Sequence, residues 1–302
     1  MIPLWAVVTI AAAFLQNLRN LLHRRIKEHL SLGGATFSRF AFAAPMAVLY
    51  LLALSIVHEE PLPAPSSLYF GYAAVGALAQ ILANVALLAS FRYRNFVVAT
   101  TFSKTEAGQT AVISALWLRE APGPVAAIGI AVSFFGVLIL SAARGAMSVR
   151  ALLVAWLDKP ALLGLCAGFF LALASIAIRA SILELPSGGP MLRAALTLAV
   201  ITTMQLSGLG LYLALREPGM LMQVARSFRP ALGVGSASAA TSALWFTAGA
   251  LENMSHVRAL GQIELIFAFL TSWLVFREHT TRAELLGIGV MVLGLLVVIL
   301  GT

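Results

Sequence analysis

The sequence predicts an all-α integral membrane protein with ten transmembrane helices, arranged as two inverted five-helix repeats. Composition is the first observation behind this prediction: of 302 residues, 60% are hydrophobic and only 11% are charged. Soluble domains are about one-quarter charged, so this chain has too little polar surface to remain in water. The second observation is a set of long apolar segments, and the third is an internal repeat. Together they indicate one compact helical bundle in a lipid bilayer.

Ten apolar segments are long enough to cross a bilayer as helices, which takes about 20 residues each. They lie at about 3–22, 34–57, 68–91, 96–118, 123–142, 160–183, 190–214, 230–250, 256–276 and 283–301. A membrane β-barrel would instead need runs of about ten residues that alternate between apolar and polar. The sequence lacks such runs, so the predicted class is all-α.

An internal repeat relates the middle of the chain to its C-terminal end. The segment Val98–Leu138 matches the segment His256–Leu296 without a gap when it is shifted by 158 positions, and Glu106 then falls on Glu264. Each predicted repeat contains five spans. Because five is an odd number, the second repeat enters the membrane from the opposite side, which gives an inverted repeat.

The predicted domains follow from this repeat. The first five-helix repeat covers 1–145, a linker covers 146–159, and the second repeat covers 160–302. The linker mixes charged and apolar residues, which is typical of a short amphipathic helix on the membrane interface. In transporters with inverted repeats, the binding site usually lies at the repeat interface near the middle of the membrane.

The charge distribution indicates orientation in the membrane, not a nucleic-acid partner. The formal net charge is +8, but Lys and Arg of membrane proteins collect in cytoplasmic loops. Thirteen of them follow the odd-numbered spans, whereas Glu59 and Glu60 lie in the second loop. This asymmetry predicts that both termini lie outside the cytoplasm. Basic stretches interleaved with aromatic residues, which nucleic-acid binding would favour, do not occur.

The sequence also lacks the common motifs of enzymes and metal sites. Cys166 is the only cysteine, so neither an intramolecular disulfide nor a cysteine metal cluster is expected. The five histidines are scattered, without the spacing H-E-x-x-H. A glycine-rich phosphate loop and a G-x-S-x-G motif are absent. We therefore expect no enzyme activity, no metal and no cofactor.

The two repeated segments share a further pattern: an apolar helix with an internal acid ends in a Glu, and the next helix carries spaced glycines. The residues of this pattern are Glu264, Glu120, Glu278, Gly129, Gly136, Gly287 and Gly294. The pattern resembles that of the EamA-like ten-helix transporters of the drug/metabolite transporter (DMT) superfamily. The resemblance covers essentially the whole chain. It implies a multi-pass protein of the bacterial inner membrane that moves small metabolites.

The chain departs from the family pattern at three places. Ala107 and Leu265 stand where the family has a mid-helix Pro, and Arg119 and Arg277 replace the Gly before the terminal Glu. The first helix has the sequence Phe14–Asn17 where many members have Trp-Gly-Ser. Members of the superfamily move amino acids, nucleotide sugars, cations or other metabolites, so the resemblance leaves the substrate class open.

Two acids inside predicted spans are the first candidate site residues. Glu264 lies well inside its predicted helix and Glu106 lies at a similar depth, while His256 shares a helical face with Glu264. Ionisable groups inside a membrane are costly and are functional candidates by default. Without a partner on the same helix face, each acid needs a partner from another helix or spends time protonated. Proton coupling or binding of a substrate amine is one interpretation, and an acid capped across a helix contact is the other.

Amide and aromatic side chains form a second group of candidates. Gln16 and Asn17 lie in the first predicted helix, Gln80 and Asn84 in the third, and Trp245 in the eighth. Amides inside a bilayer must find hydrogen-bond partners, so these residues either line a wet cavity or hold helices together. Trp245 is a candidate to line a pocket for an apolar substrate group, with core packing as the alternative.

Two arginines complete the candidate set. Arg39 and Arg193 lie early in the second and seventh predicted helices. One interpretation is that their side chains extend to the membrane interface. The other is that they clamp a substrate carboxylate or pair with one of the two acids.

We predict a secondary active transporter that exports small polar metabolites, such as amino acids, by alternating access through a central cavity. Its expected partners are a small-molecule substrate, the lipid bilayer and, as a hypothesis, protons as the coupling ion. An uncoupled facilitator is the nearest alternative. Alternatives from other classes are a membrane-embedded scaffold and an enzyme that acts on lipid-linked substrates. The oligomeric state is open between monomer and homodimer.

Overall fold

The structure, a computed structural model, describes most of the chain as α-helix. The residues that it describes are 2–24, 32–90, 93, 96–145, 150, 154, 158–217, 219–226, 228–274, 277 and 280–302. The helices in these ranges are α1 (Leu4–Arg24), α2 (Leu32–His58), α3 (Ser67–Ser90), α4 (Phe96–Ser103), α5 (Glu106–Trp117), α6 (Pro124–Arg144), α7 (Lys159–Glu184), α8 (Pro190–Arg216), α9 (Met220–Arg226), α10 (Phe228–Leu251), α11 (Met254–Gly261), α12 (Glu264–Leu274) and α13 (Arg282–Leu300). The prediction of an all-α membrane protein is confirmed.

Within the described residues, seven helical stretches are long and apolar enough to cross a membrane. They are Phe40–His58, Ser67–Ser90, Pro124–Arg144, Lys159–Glu184, Pro190–Arg216, Met254–Leu274 and Arg282–Leu300. A shorter apolar stretch covers Leu4–Arg19. The protein is therefore a multi-pass membrane protein, whereas the count of ten spans stays a prediction.

Local sequence signals determine where several of these helices begin. Pro124 and Pro190 each follow a glycine and open α6 and α8. Proline is favoured there because it lacks only an N–H group that would have no partner inside the helix. At the start of α13, the Thr281 hydroxyl accepts a hydrogen bond from the Glu284 N–H at 3.2 Å. The Glu284 carboxylate accepts one from the Thr281 N–H at 2.8 Å, which completes a capping box.

The described chain divides into two compact units, and each unit draws residues from both predicted repeats. The first consists of Met1–Leu78 and Ala177–Leu251, and the second of Ala79–Ile176 and Glu252–Thr302. In the first unit, α1 packs on α10, and α2 packs on α8 and α10. In the second, α6 packs on α13, and α11 packs on α5 and α13. The division of the sequence into repeats at 1–145 and 160–302 stays a prediction.

In the second unit, α6 and α13 are in backbone contact through their glycines. A Cβ atom added at Gly129 would lie 2.6 Å from the backbone nitrogen of Val298, and one added at Gly136 would meet the backbone of Met291. Any larger residue would force the helices apart, which explains the small residues at this interface. Along α6 the residue numbers of the glycines rise, while those of the residues that they meet on α13 fall. The two helices therefore run antiparallel.

These glycine contacts obey the 158-residue shift of the sequence repeat. A Cβ atom added at Gly287 would lie 2.6 Å from the backbone nitrogen of Leu140. Gly287 and Leu140 are the positions equivalent to Gly129 and Val298 with the two helices exchanged. The pair α6 and α13 therefore has approximate two-fold symmetry in its contacts.

The two predicted spans that carry acids, at 96–118 and 256–276, each contain a short break in the α-helix. The first consists of α4 and α5, separated by Lys104 and Thr105, and the second consists of α11 and α12, separated by Gln262 and Ile263. The two breaks occupy equivalent positions of the repeat. Neither break contains a proline, the usual cause of an interrupted helix.

Tight backbone turns produce both breaks. The N–H groups of Lys104 and Gln262 donate to carbonyls three residues back, at 3.0 and 3.1 Å. Thr105 and Ile263 do the same at 3.2 and 3.0 Å. Hydrogen bonds over three residues are those of a 3₁₀ turn, which locally replaces the α-helical pattern. The residues between the helices include neither proline nor glycine, so the sequence pattern gave no sign of the two turns.

Two arginines at equivalent positions of the repeat, which follow α5 and α12 in the chain, have an unusual backbone conformation. Arg119 and Arg277 have φ angles of 58° and 53°, in the left-handed region that favours glycine. After α5, the Ser114 carbonyl accepts hydrogen bonds from the N–H groups of Leu118, at 3.0 Å, and Glu120, at 3.2 Å. The turn itself requires this conformation, so each arginine occupies a position where a glycine would fit without strain.

Candidate functional site

The candidate site consists of two ion pairs at the two helix breaks. Glu264, the first residue of α12, pairs with Lys104, the first residue after α4. Glu106, the first residue of α5, pairs with Arg258 of α11, with 3.1 Å between Nε and Oε1. All four residues belong to the second unit. Each acid thus has a partner from another helix, one of the two possibilities that the sequence left open.

The four side chains are shielded from solvent and their charges balance. The exposed fractions are 24% for Lys104 and 16% for Glu264, and 15% for Arg258 and 14% for Glu106. Two cations face two anions, so the cluster is neutral. Removal of one partner of a buried ion pair leaves an uncompensated charge, which costs about 3–5 kcal/mol. The cluster is therefore held together by mutual charge compensation.

The sequence repeat relates the two acids to each other but not the two cations. With the shift of 158 positions, Lys104 falls on Gln262, and Arg258 falls on Thr100. Each cation therefore belongs to only one of the repeated segments. The two breaks share a backbone conformation and an acid, and they differ in every other polar group of the site.

His256 lies in α11, before the break at Gln262, and Glu264 follows that break. His256 Nδ1 lies 3.1 Å from Oε1 of Glu252. The neighbouring Asn253 caps α11: its side-chain oxygen accepts a hydrogen bond from the Ser255 N–H at 2.9 Å. The predicted grouping of His256 with Glu264 on a shared face stays a prediction.

In the first unit, the structure brings together two residues that the sequence named separately. Trp245 Nε1 on α10 donates a hydrogen bond to Gln16 Oε1 on α1, at 2.9 Å. The Trp245 side chain is buried, and Gln16 and the adjacent Asn17 are half-buried. This contact joins two of the helices that form the first unit.

The remaining predicted site residues lie on α2, α3 and α8. On α3, Asn84 Nδ2 donates to the backbone carbonyl of Gln80 at 2.8 Å, so this amide bonds within its own helix. Arg193 lies in the first turn of α8 and is half-buried. Arg39 belongs to α2, but its side chain lies outside the described residues. Glu278, the terminal acid of the second repeat, also lies outside them.

Sequence reasoning missed several polar side chains that are shielded from solvent, among them Arg179, Arg258 and Gln262. Arg179 on α7 is 8% exposed and donates from Nη1 to the Gly249 carbonyl at 2.5 Å. A search for every Lys and Arg inside the predicted spans would have found both arginines. A comparison of the residues equivalent to Lys104 would have found Gln262.

A groove of about 540 Å³ opens beside the break between α4 and α5. Residues of α5, α6 and α7 line it, and most of them are apolar. Its polar groups include Gln109 and Thr105, and Gln109 Nε2 donates to Thr105 Oγ1 at 2.8 Å. None of the predicted site residues lines this groove. In the described part of the chain, no group of three His, Cys, Asp or Glu residues could hold a metal ion.

Comparison with known proteins shows a known fold and a similarity to one transporter family. A protein of known crystal structure has the same fold over 98% of this chain and 97% of its own, with a TM-score of 0.70 and 13% sequence identity. The search of the curated proteins found no match. The model of the EamA-like transporter family matches residues 3–142. Over these residues the chain is similar to the EamA-like transporters, a family of the drug/metabolite transporter superfamily.

Proposed function

We propose that the protein is a secondary active transporter that exports small zwitterionic metabolites, amino acids in particular, by alternating access through a central cavity. The family to which it is similar is a family of membrane transporters. The main observation in support of the proposal is the neutral cluster of two ion pairs at the helix breaks. Each pair joins a residue of 104–106 to a residue of the interrupted helix α11–α12. Interrupted helices at a site of charged residues are typical of secondary transporters.

The charge balance of the cluster favours a zwitterion as substrate. An amino acid could place its ammonium group on Glu264 and its carboxylate on Lys104, and every charge would remain compensated. A ligand with one charge would leave one member of the pair without a counter-charge, at a cost of about 3–5 kcal/mol. The site therefore discriminates against simple amines and simple carboxylic acids.

Inverted repeats with ten spans are part of this proposal. The repeats are 1–145 and 160–302, and most of the linker 146–159 lies outside the described residues. Two features support the arrangement: the helix breaks occur at equivalent positions, and the glycine contacts of α6 and α13 obey the repeat shift. Motion of one repeat against the other would then expose the site to the two sides of the membrane in turn.

Proton coupling through Glu264 gives the cycle its driving force. When the substrate carboxylate draws Lys104 away, Glu264 needs either the substrate ammonium or a proton to compensate its charge. Substrate and proton therefore compete for one carboxylate, and a proton can enter as the substrate leaves. Glu106 is the second acid that could take this role, after release from Arg258.

The other predicted residues have supporting roles in this proposal. Gln16 and Asn17 with Trp245, and separately Gln80 and Asn84, line the path of the substrate. Arg39 and Arg193 act as further positions for the substrate carboxylate, and His256 acts with Glu264 in substrate binding or coupling. The proposed location is the bacterial inner membrane, with the protein as a monomer or a homodimer.

The test is the thermal stability of the detergent-purified protein with amino acids, the corresponding amines and the corresponding carboxylic acids, at pH 5.5 and 7.5. A ligand that binds only the folded state raises the melting temperature. We expect stabilisation by one or more amino acids, little by their singly charged analogues, and loss of the effect in Glu264→Gln. Equal stabilisation by analogues, or by no compound in the panel, would contradict the proposal.

A facilitator without ion coupling is the second candidate, favoured by the observation that both acids already have cationic partners. Acids that are compensated by cations do not require protons. In proteoliposomes, a facilitator would carry its substrate at a rate that does not respond to an imposed pH gradient. A coupled exporter would accumulate substrate when the gradient is imposed.

A further inference from the structure

Gln262 is a deeply buried amide whose side chain lacks hydrogen-bond partners. It is 4% exposed, and both Oε1 and Nε2 are buried. Neither atom forms a hydrogen bond with any residue that the structure describes. A buried amide without partners is costly, and nearly all buried polar groups in proteins are satisfied. A ligand that supplies both a donor and an acceptor would satisfy this side chain.

The backbone N–H and carbonyl of Gln262 both form hydrogen bonds, so only its side-chain amide is without a partner among the described residues. Its N–H donates to the Ala259 carbonyl at 3.1 Å, and its carbonyl accepts from the Leu265 N–H at 2.9 Å. Gln262 lies in the break between α11 and α12, two residues before Glu264. The equivalent position in the other break is Lys104, the partner of Glu264. An open amide and an ion pair thus belong to the same interrupted helix.

We propose that Gln262 is a substrate-binding residue that selects zwitterions with an uncharged polar group, such as a carboxamide. This inference rests on the proposed function and adds a determinant of specificity to it. The amide offers a donor and an acceptor in one plane, and a carboxamide satisfies both. A carboxylate offers only acceptors and an ammonium offers only donors, so either would leave one Gln262 atom unsatisfied.

A structural role for Gln262 makes a different prediction from a binding role. If a fixed water or an internal contact satisfied the amide, its replacement by leucine would lower the melting temperature. If the amide forms hydrogen bonds only with bound substrate, Gln262→Leu removes an unsatisfied polar group from the substrate-free protein. The melting temperature of that protein should then be unchanged or higher. Gln205 is the matched control: it is 1% exposed, and its Nε2 donates to the Ala77 carbonyl at 3.3 Å. Gln205→Leu should lower the melting temperature.

The experiment compares wild type, Gln262→Leu and Gln205→Leu by thermal stability and by binding of three amino acids. The probes are glutamine, its apolar near-isostere methionine, and its acidic counterpart glutamate. We expect glutamine to stabilise the wild type most. In Gln262→Leu, glutamine affinity should fall at least about tenfold, as the loss of paired hydrogen bonds implies, and methionine affinity should not change.

Three outcomes would overturn the proposal, and they are distinguishable. Equal glutamine affinity in wild type and Gln262→Leu would remove Gln262 from the site while transport of zwitterions stands. A melting temperature of Gln262→Leu as low as that of Gln205→Leu would show a structural amide. Failure of every zwitterion to stabilise the wild type would reject the proposed function, and this inference with it.

Discussion

The two interrupted helices of the second unit have the same backbone turn but different side-chain chemistry. In the break between α4 and α5, the hydroxyls of Ser103 and Thr105 donate to the carbonyls of Thr100 and Phe102, at 2.7 and 2.6 Å. In the break between α11 and α12, the corresponding side chains do not supply such bonds, and the amide of Gln262 stays open. The hydroxyls of Ser103 and Thr105 thus find acceptors within the first break, whereas the amide of Gln262 in the second finds no hydrogen-bond partner among the described residues.

This difference shows which features of the break are common to the two repeated segments and which differ between them. The backbone hydrogen bonds over three residues are common to both breaks, and so is the acid that follows. The turn therefore does not depend on one particular set of side chains. Side chains at the first break stabilise the turn, and those at the second are available to a ligand. The predictions below test this contrast.

The largest effect is expected from the ion pairs. Lys104→Met leaves Glu264 without its cation, and the free energy of unfolding should fall by about 3–5 kcal/mol. The double variant Lys104→Met with Glu264→Gln removes both charges and should recover most of this loss. Melting temperatures of the two singles and the double in detergent form the measurement. Additive losses in the double would mean that the pair does not contribute to stability.

Substitutions at the glycine interface should affect both halves alike. Gly129→Ala and Gly287→Ala place a Cβ atom 2.6 Å from backbone nitrogen, so each should cost about 1–3 kcal/mol through overpacking. Gly289→Ala on the same helix is the control, because nothing lies within 4 Å of the added Cβ. It should be neutral or stabilising, as alanine favours helix. Unequal losses at Gly129 and Gly287 would argue against the approximate two-fold symmetry.

The cap of α11 links the two interrupted helices. Asn253 Nδ2 donates to the Glu120 carbonyl at 3.0 Å, beyond the end of α5, while its side-chain oxygen caps α11. Asn253→Ala should cost about 1 kcal/mol or somewhat more, measured as a drop in melting temperature. Asn253→Asp keeps the cap and loses the donor, so it separates the two contributions. If both variants melt like the wild type, the link is not significant.

The smallest effect is a gain in stability at the left-handed arginines. Arg119→Gly and Arg277→Gly relieve backbone strain at φ angles of 58° and 53°, and each should raise the free energy of unfolding by less than about 1 kcal/mol. Arg119→Ala removes the same side chain but keeps the strain, so it should not stabilise. A gain in Arg119→Ala equal to that in Arg119→Gly would show that the side chain, not the backbone, is responsible.

Composition and hydropathy predicted the membrane class correctly, because both depend on the summed properties of many residues. They also identified Glu106 and Glu264, since an acid within an apolar run can be recognised from the sequence alone. The breaks beside these acids could not be predicted, because a two-residue turn without proline or glycine has no distinctive sequence signal. The partners Lys104 and Arg258 lie far from their acids along the chain. Such pairings, like that of Gln16 with Trp245, depend on tertiary packing that no local pattern encodes.

The neutrality of the ion-pair cluster has a consequence for energetics across the membrane. Moving one elementary charge through the membrane potential is worth about 2.3 kcal/mol per 100 mV. A neutral site that carries a zwitterion moves no net charge when it changes sides, so voltage neither drives nor opposes that step. Any electrical current during transport would then belong to the coupling ion alone. Under the proposed mechanism, the dependence of the transport rate on membrane voltage would therefore report the number of protons that move with each substrate.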